Sequence, residues 1–176
     1  MRFRLIIGLA AGLVCMCTAG LADAKPVYVP GSSFDGTCQL TGTLTLATPI
    51  GSTPRSTSFT GSQSGTCQGS LNGGPSAAHV VRNQVSGIGL LSCFGGHTLT
   101  NDVLRFDDGS QIRVYTDVAF AGVEAGGHFQ GAGGDGVVEI NLLPYFSQST
   151  MDQCQAGTLT DARYDVTART ITPMVG

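Results

Sequence analysis

The chain has 176 residues, of which 41% are apolar and 12% are charged, and its formal net charge at pH 7 is −3. The apolar fraction excludes a disordered chain, and the small number of Lys and Arg residues excludes a basic surface for nucleic acid or for an anionic membrane. About 150 residues remain once an export leader is set aside, which predicts one domain with one core.

The first 24 residues have the features of an export signal. Two arginines precede an apolar run from Leu5 to Cys17, and Ala22 to Ala24 has the small-x-small pattern that signal peptidase cleaves. The run is shorter than the roughly 20 residues that a membrane-spanning helix needs. We therefore expect residues 1–24 to be removed, followed by a lead-in at 25–36 and an all-β domain at 37–174, with no membrane insertion of the mature chain.

Alternation of Thr, Val, Ile, Phe and Tyr between clusters of Gly, Pro, Asn and Asp predicts β-strands in the rest of the chain. Many strands with short turns predict an all-β fold, either an antiparallel β-sandwich or a closed β-barrel. Ser149 to Asp152 interrupt the alternation and predict a short helical turn. The predicted strands cover residues 38–48, 55–67, 77–92, 97–106, 110–120, 135–143, 154–160 and 162–172.

Four cysteines follow the leader, at positions 38, 67, 93 and 154. An even number of cysteines in an exported chain predicts two disulfides, and the wide separations do not match a zinc site. The turn cluster Thr48 to Pro54 predicts a hairpin in which opposed residue numbers sum to about 105, so that Cys38 lies opposite Cys67. Of the three connectivities, Cys38–Cys67 with Cys93–Cys154 is therefore the one we favour.

Each cysteine begins a similar short sequence motif, such as Cys38-Gln-Leu-Thr-Gly-Thr and Cys154-Gln-Ala-Gly-Thr. Small residues after a cysteine allow close backbone approach, and the alternating Leu and Thr that follow suit a strand with one wet face. We predict that every copy marks the opening of a strand.

A second hairpin is predicted around Asp108-Gly109. A two-residue loop would place apolar residues opposite polar ones, whereas a three-residue loop with Gly109 left-handed pairs Leu104 with Ile112. The pattern favours the three-residue loop. In this register Tyr115 is out of phase with Ile112 and points outward.

Two motifs resemble known sites. Gly131 to Gly136 has the letters G-x-G-x-x-G, but a predicted strand follows it where a dinucleotide site needs a helix, so a glycine turn is predicted. The mature chain lacks the G-x-S-x-G serine elbow.

Histidines are the residues to examine for acid–base chemistry, and the chain has three, at positions 79, 97 and 128. His97 with Asp102, or His128 with Glu124, would be the base and its partner in a hydrolase. We assign no catalytic residue and no metal or cofactor. Tyr115, which is able to stack on a sugar, is proposed together with His97 and His128 as ligand-facing.

The order of cysteines and turns resembles that of exported four-cysteine actinobacterial proteins of unknown function. The resemblance rests on Cys38 to Thr48 with Pro49, on Cys67, on Cys93 before the Asp108-Gly109 turn, and on Cys154 before Gly157 to Thr160. It implies an exported all-β fold with disulfides, and it implies no site residues.

The sequence thus predicts an exported, disulfide-stabilised binding or structural module, extracellular or associated with the cell envelope. Its expected partner is a cell-wall or glycan polymer or another protein, and not nucleic acid. The alternatives are a small secreted hydrolase using His97 or His128, and a small-molecule carrier, which requires an apolar cavity.

Overall fold

The computed structural model describes residues 31–175, except for the side chain of Leu143. The predicted leader, residues 1–24, lies outside this range. Within the range, no helix is both long enough and apolar enough to span a membrane.

Nine strands and one α-helix make up the described chain, with a 3-10 turn at Leu143–Tyr145 before the helix. The helix, α1, spans Gln148–Ala156. The strands are β1 Ser33–Ile50, β2 Arg55–Leu71, β3 Ala77–Ser92, β4 Gly95–Phe106, β5 Gln111–Ala121, β6 Glu124–Gln130, β7 Asp135–Asn141, β8 Leu159–Thr172 and β9 Met174–Val175.

The first eight strands form a closed antiparallel barrel. Each strand pairs with the next along the chain, and β1 pairs with both β2 and β8, which closes the sheet. Closure leaves no unpaired edge among these strands. Of the two predicted architectures, the barrel is therefore confirmed and the β-sandwich is wrong.

Both predicted hairpin registers are confirmed. Cys38 lies opposite Cys67 in the β1–β2 pair, and Leu104 lies opposite Ile112 in the β4–β5 pair. The β4–β5 loop has three residues, because the Phe106 amide donates to the Ser110 carbonyl across it. Gly109 takes a left-handed φ of 88° there, which glycine adopts without steric cost.

The region between residues 121 and 160 differs from the prediction. Strand β6 was not predicted, and the strand expected at 154–160 is wrong because residues up to Ala156 belong to α1. Ser147 caps this helix, accepting a hydrogen bond from the Thr150 amide at 3.2 Å. The glycine turn predicted at Gly131 to Gly136 is shorter in the structure: a hydrogen bond from the Gly131 amide to the Gly134 carbonyl closes it, and Asp135 and Gly136 begin β7.

Both predicted disulfides are present. Cys38–Cys67 joins neighbouring strands, with Cα atoms 3.9 Å apart. Cys93–Cys154 joins the β3–β4 turn to α1, with Cα atoms 5.8 Å apart. The prediction that every cysteine motif opens a strand is wrong. Cys67 lies near the end of β2, and Cys154 lies in a helix.

Two apolar clusters lie inside the barrel, one toward each end. The larger cluster contains Phe34, Phe106, Ile112 and the Cys38–Cys67 bridge. The smaller one lies at the end covered by α1, which we call the α1 end, and contains Leu46, Ile50, Phe59, Val85, Leu91, Cys154 and Leu159. Burial of these side chains supplies the main stabilisation of the fold.

Candidate functional site

A chain of hydrogen-bonded polar side chains crosses the apolar interior of the barrel. The Gln63 amide nitrogen donates to the Tyr164 hydroxyl at 3.0 Å, and the Asn83 amide nitrogen donates to Gln63 Oε1 at 2.9 Å. The same Asn83 nitrogen donates to Asp102 Oδ1 at 3.3 Å. We call Tyr164, Gln63, Asn83 and Asp102 the polar chain.

Asp102 ends the polar chain and accepts two further hydrogen bonds. The hydroxyls of Thr100 and Thr116 donate to its Oδ2 at 2.6 and 2.7 Å. The side chain is only 6% exposed, and no Lys, Arg or His forms an ion pair with it within residues 31–175. Burial raises the pKa of Asp102, because it disfavours the charged carboxylate more than these hydrogen bonds favour it.

The sequence builds the other end of the polar chain around a glycine. Gly42 lies opposite Gln63 on one side and opposite Tyr164 on the other. A Cβ atom at Gly42 would be 2.7 Å from Gln63 Cγ and 3.0 Å from the Tyr164 ring. The absence of a side chain at position 42 therefore lets Tyr164 and Gln63 meet across β1.

Within residues 31–175, the polar chain has one acceptor without a donor and one hydroxyl hydrogen without an acceptor. Asn83 Oδ1 is buried and accepts no hydrogen bond within the described part of the protein. The Tyr164 hydroxyl accepts from Gln63, but its own hydrogen finds no acceptor among the described residues. Burial raises the pKa of Tyr164 to about 12, with a smaller contribution from the charge of Asp102, so this hydroxyl keeps its proton at neutral pH.

A cavity of about 200 Å³ adjoins the polar chain, and Tyr164, Gln63, Asn83 and Asp102 all line it. The rest of its wall is mainly apolar, formed by side chains such as Leu44, Val114, Val118, Phe120, Ile140 and Val166. An apolar enclosure with a few converging polar groups is the usual composition of a small-molecule site.

The segment from the 3-10 turn through α1 covers the cavity at the α1 end. Tyr145, Thr150 and Cys154 of this segment line the cavity. The Tyr145 hydroxyl donates to Asp165 at 2.8 Å, and the Arg163 guanidinium lies 4.6 Å from the centre of the Tyr145 ring. Together with the Cys93–Cys154 bond, these contacts hold the cover against β8 and the β3–β4 turn.

The ligand-facing residues predicted from the sequence lie elsewhere, on the outer surface of the barrel. Tyr115 is 60% exposed, as its phase predicted, and His97 and His128 are also exposed. His97 Nε2 lies 2.5 Å from Asp117 Oδ1, and Asp117 is opposite His128 in the β5–β6 pair. The three predicted residues thus share one outer face with Asp117, outside the cavity.

Neither predicted pair of a histidine and a carboxylate forms. His97 points outward and Asp102 points inward, because residues five apart in one strand lie on opposite faces. His128 and Glu124 are both outward, but the ion pairs of residues 31–175 do not include them. These residues also contain no group of three or more metal-ligand side chains arranged to hold a metal ion.

No family model matches this chain. Comparisons with curated proteins and with solved structures also gave no match. The resemblance to exported actinobacterial proteins therefore stays a prediction, and the function is argued from the residues themselves.

The sequence reasoning missed the polar chain, although its members carry a signal. Asp102 is in phase with the inward Leu104 and Phe106, and Asn83 is in phase with Val81 and Val85. A polar residue at an inward position of an alternating strand indicates either a satisfied core network or a binding site. Its hydrogen-bond partners depend on the pairing of distant strands, which the alternation does not give.

Proposed function

We propose that this protein is an exported binding module or carrier that holds one small, mainly apolar molecule inside its barrel. The observation that carries the proposal is the cavity of about 200 Å³, lined by apolar side chains and by the polar chain. Eight-stranded barrels have interiors that are either filled by side chains or able to hold one small ligand.

The size of the cavity limits the ligand. An apolar cavity of about 150 Å³ is sufficient to bind benzene. The volume in this barrel is somewhat larger, which favours molecules of one or two fused rings or of comparable aliphatic size. The two disulfides and the closed barrel support a stable module suited to an oxidising extracellular environment.

The test is binding of 2-methylnaphthalene to the purified oxidised protein, followed by the fluorescence of the naphthalene ring. The chain contains no tryptophan, so this fluorescence has little interference. Saturable binding with one site per chain is expected. Ala162 lines the cavity opposite Leu44, and an Ala162→Leu variant that fills the space should weaken binding at least about tenfold.

The matched control is Ala119→Leu, which adds the same atoms to an exposed outward position of β5. It should leave the dissociation constant unchanged. Leu44→Phe provides a second cavity-filling variant if Ala162→Leu unfolds. The proposal fails if the wild-type protein shows no saturable binding, or if folded cavity-filling variants bind as tightly as the wild type.

A second candidate function is contact with a cell-wall or glycan polymer through the outer face. The observation that favours it is the group of exposed apolar and aromatic side chains that Tyr115 forms with Ile88 and Leu99 across β3, β4 and β5. Exposed apolar patches commonly mark interaction sites. Pelleting with isolated cell walls that Tyr115→Ala abolishes would support this function, and absence of pelleting would contradict it.

A further inference from the structure

Among the described residues, the polar chain has one open acceptor and one unused hydroxyl hydrogen, which specify the chemistry of a ligand. Asn83 Oδ1 is a buried acceptor, and the Tyr164 hydroxyl is a buried donor. Both residues line the cavity. Buried polar groups are nearly always hydrogen-bonded, so the open acceptor of Asn83 requires an explanation. The Tyr164 hydroxyl already accepts from Gln63, and its own hydrogen is an unused donor in the same polar chain.

The orientation of the Asn83 amide is fixed by its neighbours. Its nitrogen donates both to Gln63 Oε1 and to the Asp102 carboxyl. While Gln63 keeps its orientation and the Asp102 oxygen acts as an acceptor, rotating the Asn83 amide by half a turn would direct Oδ1 at two acceptor oxygens and lose both bonds. Oδ1 therefore remains an acceptor without a donor within residues 31–175.

The orientation of the Tyr164 hydroxyl is fixed in the same way. Its oxygen accepts from the Gln63 amide nitrogen, and Gln63 is held in turn by Asn83. The hydroxyl hydrogen must then point away from Gln63. Because Gln63 lies between Tyr164 and Asn83, the free donor and the free acceptor belong to one connected group beside the cavity.

We infer that the ligand carries a hydroxyl group, an alcohol or a phenol, which donates to Asn83 Oδ1 and accepts from the Tyr164 hydroxyl. This inference rests on the proposed function of the cavity. A hydroxyl supplies one donor and acceptor lone pairs on a single atom. A ketone or an ether supplies no donor and would leave Asn83 Oδ1 unpaired.

A cationic amine fits the site less well. Its natural partner would be Asp102, whose carboxyl already accepts hydrogen bonds from Thr100, Thr116 and Asn83. An ammonium group has three donors and no acceptor, so the Tyr164 hydroxyl would still lack a partner. The unpaired atoms select a group that both donates and accepts.

The experiment compares three naphthalenes of similar shape with the oxidised protein. 2-Naphthol donates and accepts, 2-methoxynaphthalene only accepts, and 2-methylnaphthalene does neither. Tyr164→Phe removes the protein's donor and keeps the ring, and Asn83→Leu removes the acceptor and keeps the approximate shape. Comparing each compound between variants cancels the difference in hydrophobicity among the compounds.

The pattern expected is specific. Tyr164→Phe should weaken the binding of 2-naphthol and of 2-methoxynaphthalene about fivefold to tenfold, because each compound loses one hydrogen bond to the protein. Asn83→Leu should weaken the binding of 2-naphthol by a similar factor and leave the binding of 2-methoxynaphthalene no weaker. Neither variant should weaken the binding of 2-methylnaphthalene. Tyr115→Phe, which removes a hydroxyl on the outer face of the barrel, is the control and should leave the affinities for all three compounds unchanged.

The outcomes separate the two proposals. If all three compounds bind and both variants change their affinities equally, the cavity binds ligands but the hydroxyl assignment is wrong. Tighter binding of 2-naphthylmethylamine than of 2-naphthol would also overturn the assignment, in favour of an ammonium on Asp102. If none of the compounds binds the wild-type protein, the proposed function fails and the hydroxyl assignment fails with it. If one variant does not fold, the other variant still tests its own half of the pattern.

Discussion

Removing the Cys93–Cys154 disulfide should cost a large part of the stability of this domain. The two bonded cysteines are separated by 61 positions along the sequence. The entropy lost by an unfolded chain closed into a loop of that length corresponds to about 4 kcal/mol at 25 °C. Domains of this size have total stabilities of roughly 5–15 kcal/mol, and each kcal/mol shifts Tm by roughly 2–4 °C.

The assay is urea and thermal unfolding of a Cys93→Ala/Cys154→Ala variant, followed by circular dichroism. We expect the Tm to fall by roughly 8–16 °C. The Cys38→Ala/Cys67→Ala variant removes a bond between positions 29 apart and should lose about 3.5 kcal/mol by the same argument. A loss below about 1 kcal/mol for either pair would refute the reasoning from loop closure.

The two variants should differ more in ligand kinetics than in stability. Cys93–Cys154 ties α1 to the β3–β4 turn, and α1 covers one end of the cavity. Cys38–Cys67 joins two strands that are already paired. Loss of the first bond should therefore raise the dissociation rate of 2-naphthol severalfold, measured by stopped-flow fluorescence, and loss of the second should not. Equal rates would contradict the covering role of α1.

Three further changes have expected outcomes. Burial raises the pKa of Asp102 above 3.8, so the wild type should lose unfolding free energy relative to Asp102→Asn as the pH rises from 3.8 through the folded pKa. Urea titrations of both proteins at pH 3 and pH 7 measure this difference, and a gain in unfolding free energy would contradict the prediction. Gly127→Ala places a Cβ atom against the Asp117 carbonyl oxygen and should lower the unfolding free energy by about 1–3 kcal/mol. The control Gly126→Ala, whose Cβ atom would have no neighbour closer than 3.9 Å, should change the unfolding free energy by less than about 0.5 kcal/mol in the same assay. Equal losses in the two variants would contradict the clash. Ser147→Ala removes the cap of α1 and should cost about 1 kcal/mol, with faster amide hydrogen exchange in the first turn of the helix; unchanged exchange would contradict the capping role.

Local chemistry was sufficient to predict the hairpins. A glycine in the turn fixed the length of the β4–β5 loop, and the pairing of Leu104 with Ile112 followed from the alternation on either side. The opposition of Cys38 and Cys67 followed in the same way from the turn between β1 and β2. Each of these features depends on residues that are near in sequence, which is why the sequence was informative.

The errors lie where local signals are weak or ambiguous. Strand β6 has the sequence Glu-Ala-Gly-Gly-His-Phe-Gln, which contains no β-branched residue and two adjacent glycines. Its inward glycine, Gly127, is required because the backbone of β5 leaves no room for a side chain there. Tertiary packing therefore selected residues of low strand propensity, and the sequence pattern did not reveal the strand.

Closure of the barrel depends on contacts that a sequence pattern does not encode. Thr41 lies opposite Asp165 in the β1–β8 pair and donates a hydrogen bond to it at 2.8 Å, across 124 positions of sequence. The same inward and outward alternation would suit two packed sheets. The choice between sandwich and barrel is made by this pairing, and the sequence reasoning therefore left both open.

The proposed binding function would account for the polar chain better than a contribution to stability does. Gln63 and Asn83 face inward among the Leu, Val and Phe side chains of the two apolar clusters. A buried polar network with unsatisfied members stabilises a fold less than apolar side chains of the same volume. Asn83 Oδ1 is such a member, and Asp102 adds a carboxyl whose burial opposes ionisation. A ligand hydroxyl that satisfies the open positions would offset this cost, which gives the protein a free-energy reason to be more stable with its cavity filled.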